Sequence, residues 1–153
     1  ASTRGDPVSV IAWDGKALAA DRAVLYSTSL MESRKSMRLE DGTVLAWSGR
    51  AGSGWAMVEW FKRGADLEHY PSFQADENDW ALLVVVRPGA KPVYYEQAPA
   101  VIPVFSSYCA WGAGMDFALG AMAAGANAHR AVEVACLHCS SCGFGIDAYE
   151  VSP

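Results

Sequence analysis

The sequence predicts an α+β protein in which antiparallel sheets stack face to face and helices lie outside them. Two β-hairpin signals follow one another before residue 50. After residue 54 the apolar residues change from a strand-like period to a helical one. The pattern then continues as strands, two helices and a final strand. Hairpins pair consecutive strands antiparallel, and the helices must bury an apolar face, so a layered arrangement follows.

The first hairpin is centred on Asp14-Gly15, between apolar runs at about 8–13 and 17–25. This dipeptide suits the positive φ angles of a tight turn. Both runs are apolar on both faces, which predicts a sheet that is covered twice. Asp21 therefore carries a carboxylate placed against buried surface, and such a group needs a cation or several donors nearby.

The other elements are predicted from the same signals. Asn127 is a good N-cap for the last helix because its side chain can accept a backbone hydrogen bond there. The predicted elements, in chain order, are a strand at 35–40, a turn at 41–42, a strand at 44–47, a helix at about 55–64, a loop at 65–78, a hairpin of 80–86 with 92–96, an extended segment at 101–109, helices at 115–124 and from 127, and a strand at 145–151.

Composition narrows the class of protein. A chain of 153 residues fits one domain, which we place at 9–153, after a polar arm or leader at 1–8. The net charge of -5 indicates no basic surface for nucleic acid, and no apolar run reaches the roughly 18 residues of a membrane span. The sequence therefore predicts a cytoplasmic protein without a nucleic-acid or membrane partner. Its hydrophobic share of 52% favours a subunit with buried interfaces.

Three of the four cysteines lie together at Cys136, Cys139 and Cys142, in two overlapping C-x-x-C spacings. With Cys109 or His138 as a fourth ligand, they are candidates for a thiolate metal site. However, Cys136 continues an apolar helical pattern, and Cys142 stands beside a glycine at a strand entry. The residues favour structural thiols over a metal site, and disulfides are disfavoured in a cytosolic chain.

Several segments, in the same order, resemble the proteasome β-subunit and HslV peptidase superfamily of N-terminal-nucleophile hydrolases, closest to short bacterial and phage proteasome-like members. Together they cover most of residues 9–151. The resembling segments are Leu18-Ala19-Ala20-Asp21-Arg22, the Lys35 strand before Asp41-Gly42, Trp47-Ser48-Gly49, the helix entry Gly112-Ala113-Gly114 with the small-residue helix after it, and the closing Cys142-Gly143-Phe144-Gly145 turn and strand.

The resemblance implies a four-layer αββα sandwich and a homo-oligomeric, self-compartmentalising ring. It also implies a threonine/serine-type endopeptidase that takes peptide or unfolded-protein substrates, with an unfolding ATPase as partner and no cofactor. In that chemistry the first residue of the mature chain is both nucleophile and, through its free amine, general base. Ser9 matches the nucleophile, Asp21 and Lys35 match the supporting ion pair, and the Gly49 amide matches the oxyanion donor. From the residues alone, Asp21 and Lys35 equally fit a structural ion pair, and Gly49 fits a turn glycine.

This chain departs from the family pattern at several positions. Ser9 stands where short members have threonine, and eight residues precede it; while they remain attached, Ser9 has no free amine. Thr3 is a second candidate nucleophile if Ala1-Ser2 is removed and the first strand is longer than predicted. Three polar residues of the family pattern that support the amine are also replaced. Ala113 stands in place of a serine, Cys139 in place of an aspartate, and Cys142 in place of a serine.

Three functions are therefore compatible with the sequence. The first is an active peptidase ring, and cleavage of the Val8–Ser9 bond in the purified protein would favour it. The second is a catalytically inactive, ring-forming scaffold or a proenzyme, whose leader would stay intact. The third is a metal or thiol site at Cys136, Cys139 and Cys142, which metal analysis would reveal.

Overall fold

The computed structural model describes residues 9–26 and 28–153. The predicted leader and Thr3 lie outside the described residues. The strands are β1 (Ile11–Trp13), β2 (Ala17–Asp21), β3 (Ala23–Tyr26), β4 (Ser29–Glu32), β5 (Ser36–Arg38), β6 (Val44–Gly49), β7 (Ala81–Val86), β8 (Val93–Tyr95), β9 (Ile102–Pro103), β10 (Cys109–Trp111) and β11 (Ile146–Glu150). The helices are α1 (Ala51–Lys62), α2 (Met115–Ala123) and α3 (Ala128–His138).

Two antiparallel sheets form the centre of the fold. The first has the strand order β10-β1-β2-β11 and the second the order β5-β6-β7-β8-β9. In the first hairpin Trp13 is opposite Leu18, and Gly15 occupies the turn with φ +99°. The Asp14 carboxylate accepts from the amide of Ala17 at 2.8 Å, which closes the turn from the side chain.

Alternation along the strands gives each sheet two apolar faces. The inner faces meet in one core, whose members include Ile11, Leu18, Ala46 and Val84. The outer face of the first sheet packs against α2 and α3, and that of the second against α1. The predicted four-layer αββα sandwich is confirmed, and the double coverage follows from strands that are apolar on both faces.

The predicted strand at 17–25 is instead two strands that separate at Arg22. β2 pairs with β11 as far as Asp21, whereas β3 forms a separate hairpin with β4. No strand was predicted at the position of β4. The Arg22 backbone explains the break, because its amide donates to the Gly143 carbonyl at 3.0 Å and its carbonyl accepts from the Ser33 amide at 2.8 Å. The hydrophobic run alone could not reveal this exchange of partners.

Helix α1 begins at Ala51, earlier than the predicted start near residue 55. The small residues at 51–54, before the predicted start, form the first helical turn. A Cβ at Gly54 would lie 2.4 Å from the Trp47 ring, so glycine lets the helix approach the sheet closely. Two short 3-10 turns, Leu67–His69 and Ser72–Ala75, lie in the predicted loop, and the segment 101–109 contains only β9 and the start of β10.

The predicted cap of the last helix is confirmed, because the Asn127 side chain accepts from the amide of Arg130 at 2.8 Å. Across residues 9–26 and 28–153, no helix has the length and apolar character needed to cross a bilayer.

Candidate active site

Asp21 ends β2 and is completely buried. Its carboxylate accepts hydrogen bonds from the Val10 amide at 3.1 Å, the Gly143 amide at 3.0 Å and the Lys35 ammonium at 2.7 Å. A fourth, longer bond of 3.4 Å comes from the Ala23 amide. The sequence predicted that this buried charge needs a cation or several donors, and the structure supplies both kinds of partner.

Lys35 supplies the cation and is 3% exposed. Its ammonium donates to Asp21 and to the Ala23 carbonyl. Its own carbonyl accepts from the Trp47 amide at 2.9 Å, which fixes the residue beside β6. The ion pair thus joins the two sheets. Burial lowers the pKa of Lys35 below its usual value, against the opposing effect of the Asp21 charge.

Ser9 precedes β1 and is also completely buried. Its Oγ lies 2.9 Å from the Oγ of Ser48, which is at the end of β6. Strand alternation accounts for the contact: Ile11 and Ala46 face the space between the sheets, and Ser9 and Ser48 are each two residues from one of them. The two hydroxyls form a second polar link between the sheets.

The Ser9 carbonyl lies against the entry to α2. It accepts from the Gly114 amide at 3.2 Å. Gly112 has φ +96°, and a Cβ there would lie 2.3 Å from the Ser9 carbonyl oxygen. Glycine is therefore required at this position both by conformation and by space. The glycines of this segment hold the backbone of Ser9 in place.

Gly49 is the last residue of β6 rather than part of a turn. It has φ +112°, and a Cβ would lie 2.4 Å from the carbonyl oxygen of Trp80. The backbone of Gly49 therefore passes close to the start of β7, one residue after the hydroxyl that contacts Ser9. The role of oxyanion donor that the family resemblance implies for the Gly49 amide stays a prediction.

The cysteines lie next to the ion pair. Cys136 is on α3, Cys139 is its C-cap, and the Cys142 amide donates to the Cys139 carbonyl at 3.2 Å. Burial and the Asp21 charge raise the pKa of Cys136 to about 11 and raise that of Cys142 further. These thiols are therefore protonated and neutral at neutral pH. All four cysteines of the chain are free.

In the part of the chain that the structure describes, no three His, Cys, Asp or Glu side chains are grouped so as to hold a metal ion. Cys136, Cys139 and Cys142 pack instead with the core between the first sheet and the helices.

Two residues of the site were missed by the sequence analysis. Ser48 contacts Ser9, and the Gly143 amide binds Asp21. Ser48 could have been found from its place on the same strand face as Ala46. The contact of Gly143 depends on the course of the chain after α3, for which the sequence gives no signal.

No protein-family model matches the sequence, and no curated protein sequence matches it. Solved structures do match. Thiobacillus denitrificans BPH in complex with epoxomicin is 20% identical, with a TM-score of 0.71 over 95% of this chain and 100% of that chain. Eukaryotic HslV from Trypanosoma brucei is 18% identical, with a TM-score of 0.70 over 95% of this chain and 99% of that chain. The chain therefore shares the HslV and proteasome-like fold that its sequence motifs indicated.

Proposed function

We propose that this protein is an N-terminal-nucleophile peptidase subunit in which Ser9, once freed from the preceding residues, is the nucleophile. The observation that carries the proposal is the position of the buried Ser9. Its hydroxyl is 2.9 Å from that of Ser48, and the amide of the next residue is held by the Asp21 carboxylate that binds Lys35. The fold shared with HslV supports the same reaction class.

The reaction begins with removal of the Ser9 hydroxyl proton by the Ser9 α-amine, whose usual pKa of about 8 suits this role at neutral pH. The alkoxide attacks the substrate carbonyl and forms a tetrahedral intermediate. The C–N bond then breaks, the leaving amine takes the proton, and an ester links the acyl group to Ser9. Water, deprotonated by the same amine, hydrolyses the ester and regenerates the enzyme.

Lys35 would stabilise negative charge that develops at Ser9. Its ammonium is buried and held by Asp21 at 2.7 Å, so little solvent screens its field. The Gly49 amide would donate to the oxyanion of the intermediate, because Gly49 follows Ser48 directly and sits where no side chain fits. Lys35→Met removes this positive charge and is expected to lower kcat by about 10²–10³-fold, the effect typical of losing one preorganised group that stabilises developing charge.

Assembly into a homo-oligomeric ring is part of the proposal. Large apolar side chains remain exposed on the β3–β4 hairpin and near α2, among them Leu25, Met31 and Phe117. Exposed apolar side chains of this size are available for contacts between subunits. Peptides or unfolded proteins would be the substrates, and an unfolding ATPase the partner that supplies them.

The test is hydrolysis of a fluorogenic peptide set by the purified protein and by Ser9→Ala. The proposal predicts activity that is lost in Ser9→Ala and retained in Ser29→Ala, an exposed serine of β4. It also predicts a mass increase of one epoxomicin per chain, since the Thiobacillus protein binds that compound. Equal activity in the wild type and Ser9→Ala would refute it.

The second candidate, an inactive ring-forming scaffold, is favoured by one observation. The Cys142 side chain packs against Gly114, since a Cβ at Gly114 would lie 2.9 Å from the Cys142 Sγ. This thiol is protonated because its pKa is raised, and it stands where the family pattern has a serine. The amine of Ser9 would then lack a polar support. An assembled protein that neither hydrolyses peptides nor binds epoxomicin would establish this alternative.

A further inference from the structure

A cavity of about 280 Å³ opens between the two sheets, against β10 at the edge of the first sheet and against β7 and β8 of the second. Most of its wall is aromatic or apolar. The Tyr94 ring of one sheet meets the Trp111 ring of the other edge-on, with centroids 5.6 Å apart. The lining residues are Trp80, Leu82, Tyr94, Glu96, Cys109, Ala110, Trp111, Gly112 and Met115.

The cavity adjoins the candidate active site at two points. Gly112 lines it and lies against the Ser9 carbonyl, as the 2.3 Å approach of its ideal Cβ shows. Trp80 lines it and places its carbonyl against Gly49. Two residues of the lining therefore contact the backbone of residues in the candidate active site.

Among the described residues that line the cavity, Glu96 is the only charged one. It is half-buried, and within residues 9–26 and 28–153 it takes part in no salt bridge. Burial raises the pKa of Tyr94, and the negative charge of Glu96 raises it further. A half-buried glutamate in a mostly aromatic and apolar wall favours a cation as its partner, and aromatic rings also attract cations through their quadrupoles.

We propose that this cavity is a substrate subsite for an arginine or lysine side chain, whose apolar stem packs between Trp80 and Trp111 while its charged end pairs with Glu96. The volume is near the lower limit of about 300 Å³ for small-molecule pockets, which fits one side chain rather than a whole ligand. The proposal rests on the proposed function, since it takes the occupant to be part of a peptide that Ser9 cleaves.

Binding is tested first on the purified wild-type protein, because the Ser9→Ala chain is expected to keep the residues before Ser9. Acetyl-arginine amide and its neutral analogue acetyl-citrulline amide are titrated while tryptophan fluorescence and calorimetry report binding. We expect the arginine amide to bind about tenfold more tightly, and Glu96→Gln to abolish that difference. Glu40→Gln, an exposed glutamate of the β5–β6 turn outside the lining, should preserve it.

Equal binding of the two amides, absence of binding, or an unchanged preference in Glu96→Gln would each overturn the subsite. Tighter binding of free arginine than of its capped amide would also overturn it, because the occupant would then be a free amino acid. A Glu96-dependent preference in a protein without peptidase activity would leave the cation site standing and refute only the proposed function. Peptidase activity that is indifferent to arginine or citrulline at every substrate position would refute only the subsite.

Discussion

Replacement of Asp21 by asparagine tests the structural account of the site most searchingly. The variant is nearly the same size, and its side-chain oxygen can still accept from the Val10 or Gly143 amide. What it removes is the negative charge 2.7 Å from the Lys35 ammonium, which is 3% exposed. An uncompensated buried cation costs about 3–5 kcal/mol. Total stabilities are about 5–15 kcal/mol, so Asp21→Asn should consume a large share of the folding free energy.

The assay is urea unfolding followed by tryptophan fluorescence, with Glu133→Gln as the matched control. Glu133 pairs with Arg130 on the surface of α3, where both partners are exposed. Such pairs contribute at most about 1 kcal/mol, so the control should change little. A loss in Asp21→Asn as small as that of the control would refute the conclusion that the Asp21–Lys35 pair is buried and coupled.

Three further predictions follow from single features of the structure. Gly112→Ala should destabilise the protein by more than about 1 kcal/mol, because the position combines a positive φ with a clash at the Ser9 carbonyl. Gly120→Ala, within α2 and with no neighbouring atom within 4 Å of its Cβ, should stabilise the protein by about 0.5–1 kcal/mol. Denaturant midpoints that move in the same direction in both variants would contradict the packing described. The Ser36 hydroxyl is buried and has no hydrogen-bond partner among residues 9–26 and 28–153, so Ser36→Ala should be neutral or stabilise by up to about 1 kcal/mol in the same assay. A loss of stability above that would reveal a partner. Burial lowers the pKa of Lys35, so the unfolded chain binds more protons than the folded one between the folded pKa and pH 10.5; the contribution of Lys35 to stability is full above pH 10.5 and is lost as pH falls through the folded pKa. The difference in unfolding free energy between wild type and Lys35→Met should therefore shift in favour of the wild type as pH rises towards 10.5. A shift in the opposite sense would show that the folded pKa is raised.

Much of the fold could be predicted because its signals are local. Asp14-Gly15 and Asp41-Gly42 mark turns, Asn127 caps a helix, and the continuous apolar run of β7 indicates a strand covered on both faces. The break at Arg22 could not be predicted, because it depends on backbone hydrogen bonds to Gly143 and Ser33, remote in sequence or outside any periodic pattern.

The residues of the candidate site were also predicted only where the signal is local in the sequence. Asp21 was identified because a carboxylate in an apolar run demands a partner, and the structure supplies Lys35. Ser48 and Gly143 were missed because their contacts arise from the approach of separate segments. The aromatic cavity was also missed, since Trp80, Tyr94 and Trp111 come together only when the two sheets stack.

The most direct test of the proposed function is the intact mass of the purified, assembled protein, with N-terminal sequencing beside it. The proposed mechanism predicts a wild-type chain that begins at Ser9, produced by cleavage of the Val8–Ser9 bond, and a Ser9→Ala chain that keeps the preceding residues. A wild-type chain in which Ser9 remains joined to Val8 would contradict it, because the α-amine that must act as the base would not exist.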